Sequence, residues 1–130
     1  MARIVTTDSA PRGTAAGPFP YSQAVVAGGL IFVSGQGPTD PVSGQMVGET
    51  IQEQTRQALT NCRAILQAGG ASLDDVVDVG ILLSNPADFA GLNEEWARWF
   101  PSDPPTRYGV KLGVNLPGLL VSIRMTAYTA

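Results

Sequence analysis

The 130-residue chain contains no histidine and a single cysteine, Cys62. Without histidine there is no Ser-His-Asp triad, no Cys-His pair and no zinc site of the ordinary kind, and no metal is expected. A lone cysteine can close no internal disulfide and form no CxxC motif, so the chain reads as one suited to a reducing, cytoplasmic compartment. No apolar run approaches the roughly 18–20 residues of a membrane span, and the N-terminus lacks the basic and apolar regions of a signal peptide. No membrane partner is therefore expected. Neither GxGxxG nor GxxxxGKS/T occurs, which removes the common phosphate cradles. Charge is scarce as well: 8 basic and 11 acidic residues make up 15% of the chain, against about 25% in a typical soluble domain. The net charge of −3 and a pI near 4.7 argue against a nucleic-acid partner, whose electrostatic footprint is a basic patch. So few charges on so small a body point to a surface partly covered by another subunit.

What is present fits one domain over residues 1–130, with 44% hydrophobic residues to build a core. The first twenty residues, rich in proline and glycine, read as an irregular arm with a short strand around Arg3–Thr6. Ala24–Ala27 and Leu30–Ser34 flank Gly28-Gly29, a hairpin signal. Thr50, with Glu53 three residues on, forms a capping box. Ile51, Thr55, Ala58, Leu59, Cys62, Ile65 and Leu66 follow as one helical stripe, which Gly69-Gly70 ends. Val76–Leu83 is an apolar run of strand length. A second helix is expected near Ala87–Phe100, its Phe89, Leu92, Trp96 and Trp99 stripe facing the core, and prolines stop it. Arg107–Leu116 and Leu119–Tyr128 read as strands, the latter with Ser122, Arg124 and Thr126 on one face. The order ββ, helix, β, helix, ββ predicts an α+β fold: a mixed sheet of about six strands with two helices packed on one face.

Acid–base chemistry would fall to carboxylates, Tyr21, Tyr108, Tyr128 or Lys111. Most of the acids have structural or solvated readings: Glu53 caps a helix, Asp74-Asp75 precede a strand, Glu94-Glu95 sit on an amphipathic helix and Asp78 alternates outward. Cys62 lies on the apolar stripe and reads as core. Arg107 stands out. It follows a proline-rich break and opens a strand, where a guanidinium can grip a carboxylate with two parallel hydrogen bonds.

The segments GPFPYSQAV (Gly17–Val25), IFVSGQGPTDPVSGQMVG (Ile31–Gly48), EQTRQALTNCRAIL (Glu53–Leu66), DFAGLNEEWARWF (Asp88–Phe100) and PPTR (Pro104–Arg107) resemble, in order and spacing, the RidA/YjgF family of reactive-intermediate deaminases. The likeness runs from about Ala15 to the C-terminus. It implies a chorismate-mutase-like homotrimer with active sites between subunits. It also implies hydrolysis of enamines or imines made by pyridoxal-phosphate enzymes, with no bound cofactor. The substrate expected is a small carboxylate-bearing molecule. Residue by residue, the resemblance assigns the family tyrosine to Tyr21, displaced by an inserted Phe19-Pro20. It assigns the Ser-Gly-Gln turn to Ser34-Gly35-Gln36, with Gly37 offering backbone contacts, the helix asparagine to Asn93, and the carboxylate-binding arginine to Arg107.

The final strand departs from the family pattern of hydrophobic-Glu-hydrophobic-Glu. Ser122 stands where the water-handling glutamate is expected, and Arg124 where the second one is. A hydroxyl has no suitable pKa to act as a general base. Two readings follow, a deaminase-type hydrolase with altered activity or a trimer that binds a small carboxylate without chemistry; a third, the ribonuclease or translation-inhibitor label attached to some relatives, is disfavoured by the acidic pI and the absence of histidine. Arg124 beside Arg107 would favour a ligand with additional negative charge; an intersubunit salt bridge is the competing role for Arg124.

Overall fold

The computed structural model describes residues 2–14 and 16–129. Ala15 and Ala130, the two ends of the family resemblance, lie outside them. The elements run β1 (Arg3–Val5), β2 (Gly13–Thr14), β3 (Gly17–Pro18), β4 (Ala24–Ala27), β5 (Leu30–Gln36), α1 (Ile51–Ala68), β6 (Val76–Leu83), α2 (Phe89–Trp99), β7 (Thr106–Lys111) and β8 (Val121–Tyr128). Six strands form one sheet in the order β1-β4-β5-β8-β6-β7, and β2 with β3 forms a separate two-stranded ladder. Every pair in the large sheet is antiparallel except β6 and β7. That exception follows from α2, since parallel neighbours need a crossover between them. The α+β class and the mixed sheet of six strands are as the sequence predicts.

The local signals act as their chemistry requires. The Glu53 amide donates to Thr50 Oγ1 at 3.2 Å, and the Thr50 amide donates to Glu53 Oε1 at 3.2 Å. Gly70, with φ of 88°, takes the left-handed turn that ends α1. The predicted stripe of α1 is buried throughout, Cys62 included. Burial raises the Cys62 thiol far above its ordinary pKa, so no thiolate forms there. Ile31, Val33, Val79, Ile81, Ile123 and Met125 project from the sheet into the same core. Among the described residues the opposite face carries no helix, and it exposes Phe32, Tyr108, Val110 and Tyr128.

Several boundaries shift for identifiable reasons. A 3-10 turn, Pro86–Asp88, precedes α2, with the Ala87 amide donating to Asn85 Oδ1. Phe89 therefore opens α2 at the rim and is 46% exposed instead of core. β7 ends at Lys111, not Leu116, because its partner β6 ends at Leu83. β8 begins at Val121, not Leu119. Ser84 Oγ donates to the Leu119 carbonyl, and the Leu120 amide donates to Gln54 Oε1 at 2.8 Å. The arm also holds the β2–β3 ladder that the sequence reading lacked.

Candidate functional site

The strand pairing sorts the predicted site residues into two groups. The first gathers where β5 bends. Between Val33–Met125 and Gln36–Ile123 the register shifts, so Ser34 and Gly35 together oppose Arg124. Such a bulge kinks a strand and re-aims its side chains. Here Ser34 Oγ donates to the Ser22 carbonyl at 2.6 Å, tying the bulge to the segment that carries Tyr21. A Cβ on Gly35 would stand 2.8 Å from Ser122 Oγ, so the backbone passes directly beside that hydroxyl. Tyr21 stacks on Phe19 with centroids 5.0 Å apart and planes 8° from parallel, so the inserted Phe19-Pro20 supplies a partner for the phenol. Partial burial raises the Tyr21 pKa and keeps it protonated at neutral pH. Tyr21, Gly35, Gly37 and Ser122 border one cavity of about 350 Å³ that, among the described residues, is lined by no acidic or basic side chain. Tyr21, Ser34 and Arg124 border the adjoining hollow.

Gly37 is held from beneath. Buried Asn61, on α1, donates from Nδ2 to the carbonyls of Gly37 at 3.1 Å and Thr39 at 2.9 Å. Its Oδ1 accepts from Gln57 at 2.9 Å. Asn61 is absent from the residues that sequence motifs single out; its signal is a polar residue beside the apolar stripe of α1.

The second group lies at the other side of the fold, where β7 meets α2. Arg107 pairs in register with Val79, whose side chain is buried on the helix side. Arg107 therefore projects towards α2. Its guanidinium carbon lies 5.5 Å from the Phe89 ring centre and 5.1 Å from that of Trp96. Asn93 is four residues beyond Phe89 and three before Trp96, on the same helical face. Burial lowers the Arg107 pKa, but an arginine stays charged at any physiological pH. Neither ion pair among the described residues involves Arg107. Its guanidinium is therefore seated on aromatic faces and, among the described residues, is paired with no acid. The sequence placed Phe89 and Trp96 on one stripe, but only the fold shows that they carry an arginine.

Within one chain the two groups do not meet, and Arg124 cannot join Arg107. Arg124 opposes Gly80 on β6, as does Tyr108 on β7, one residue out of phase with Arg107. Tyr108 and the Arg124 stem both crowd the space above Gly80, where an added Cβ would meet the Tyr108 hydroxyl at 2.5 Å. The two arginines thus project from opposite faces of the sheet, so one chain by itself does not bring them together.

Glu95, predicted as structural or solvated, is structural. It is buried on α2 and accepts from Arg56 at 3.0 and 3.3 Å and from Trp99 Nε1 at 2.9 Å. Burial by itself would raise its pKa. The Arg56 and Trp99 hydrogen bonds, with the charges of Arg56 and Arg98, outweigh that and hold it below the ordinary range. Glu95 locks α2 to α1 and so fixes the helix beneath Arg107.

A six-stranded mixed sheet with two helices on one face defines the class of domain, a single α+β layer pair. The profile of the Endoribonuclease L-PSP family matches residues 10–129. A RutC family protein of Pyrococcus horikoshii is 40% identical over 128 residues, 98% of each chain. The 2-iminobutanoate/2-iminopropanoate deaminase of Capra hircus is 38% identical over 125 residues, 96% of this chain and 88% of that one. A crystal structure of RidA from an Antarctic Psychrobacter superposes with a TM-score of 0.86 at 35% identity, covering 97% of this chain and 98% of the other. The chain belongs to the RidA/YjgF family. No helix among the described residues is long and apolar enough to cross a membrane.

Proposed function

We propose that the protein is a RidA-like hydrolase that deaminates a small enamine or imine carboxylate at a site between subunits of a homotrimer. The observation that carries this reading is Arg107, a guanidinium seated on Phe89 and Trp96 with no acidic partner among the described residues. A partly buried cation gains by receiving an anion, and the guanidinium fork fits a carboxylate. Arg107 and Asn93 of one chain would face Tyr21, Ser34, Gly37 and Ser122 of the next. The bare apolar sheet face supports such an assembly. Arg107 would hold the substrate carboxylate, Tyr21 would close the pocket, and backbone groups near Gly37 or the Asn93 amide would orient water. Water adds to the imine carbon and its proton passes to nitrogen. The carbinolamine then expels ammonia and leaves a 2-oxo acid.

The acid-free lining around Ser122 favours a second reading, a trimer that binds small carboxylates without turnover. Ammonia release from freshly generated 2-aminoacrylate separates the two. The wild type should be slow, and Ser122→Glu faster, since it restores a group of suitable pKa. Rapid wild-type turnover would show that this protein needs no carboxylate there. No release by either form, with 2-oxo acids still binding, would overturn the hydrolase reading in favour of the binding one.

A further inference from the structure

We propose that the site takes a substrate with two carboxylates, the second held by Lys111; the inference rests on the proposed role of Arg107 for the first. Arg107, Gly109 and Lys111 stand opposite Val79, Ile81 and Leu83 of β6, so all three lie on the helix-side face of the outermost strand. Between this strand and the start of α2 runs a groove of about 340 Å³, bordered by Pro86, Phe89, Gly109 and Lys111. That volume is at the small end for ligand sites and suits a metabolite, not a peptide.

Phe89 is the wall common to both cations. One side of the ring region carries the Arg107 guanidinium, and the groove that Phe89 lines carries Lys111. Gly109 sits between them in sequence. A Cβ there would lie 3.5 Å from Phe89 Cε1, in ordinary contact with the ring, so Gly109 places no side chain between the two cationic residues. The two cationic residues are about 13 Å apart along the strand, a gap that two long side chains can narrow to the length of a four- or five-carbon diacid. No acidic residue borders the groove, and neither cation belongs to an ion pair among the described residues. A monocarboxylate would neutralise only one of them, whereas a dicarboxylate matches both charges. Arg124, the cation that the sequence put forward for this purpose, is on the opposite face of the sheet; Lys111 is the one that shares a face with Arg107.

Titration calorimetry on the intact protein with 2-oxobutanoate and 2-oxoglutarate tests this. The wild type should bind 2-oxoglutarate about tenfold more tightly, about 1.4 kcal/mol. Lys111→Ala should abolish that preference and leave 2-oxobutanoate affinity unchanged, and Lys111→Arg should retain it. If 2-oxobutanoate binds but the diacid binds no better, or if Lys111→Ala preserves the preference, the dicarboxylate assignment is wrong while the proposed function stands. If neither acid binds, both are overturned.

Discussion

Truncating Arg107 perturbs two things that can be measured separately. The guanidinium makes two aromatic contacts, at 5.1 and 5.5 Å, from a partly buried position. At about 0.5–1 kcal/mol each, Arg107→Ala should cost about 1–2 kcal/mol of stability and lower Tm by a few degrees. A charge-assisted, two-point grip on a carboxylate contributes about 1.5–3 kcal/mol. The same variant should therefore bind a 2-oxo acid about ten- to a hundredfold more weakly. Arg107→Lys keeps the charge but loses the planar fork, so it should recover only part of the affinity. Thermal melting reads the first effect and calorimetric titration with 2-oxobutanoate the second. A lowered Tm with unchanged affinity would refute the carboxylate role and leave Arg107 as a packing residue on the α2 rings.

Light scattering should give three times the 13.6 kDa chain mass; a monomer at micromolar concentration would remove the intersubunit site. If Arg124→Ala then dissociates the trimer without changing ligand preference, Arg124 serves assembly. Glu95 sets an acid limit on stability. Its pKa is lower folded than unfolded, so its contribution is complete above about pH 4.3 and is lost as pH falls through the folded value. Urea midpoints between pH 7 and 3 should fall less steeply for Glu95→Gln than for the wild type; parallel curves would contradict this account.

The amino-acid sequence by itself determined the elements whose signals are local. The Thr50–Glu53 capping box and the apolar stripe from Ile51 to Leu66 specify α1 through hydrogen bonds and spacing within a few residues. The largely apolar run Val76–Leu83 matches β6 at both ends, and the alternation of β8 separates Ser122 and Arg124 from Val121, Ile123 and Met125. The family motifs likewise sit in contiguous segments, so the family was legible. Tertiary structure alone decided the rest. Alternation states which residues of a strand share a face, but its phase against other strands depends on pairing between distant segments. That pairing puts β8 at the centre of the sheet, sends Arg107 towards α2 and sends Arg124 to the bare face. The bulge at Ser34-Gly35 also arises only opposite β8. Phe89 belongs to a helical stripe by spacing, yet it lies at the rim because the 3-10 turn before it sets where α2 begins. Its partner Arg107 comes from 18 residues further along the chain, beyond the reach of any local pattern.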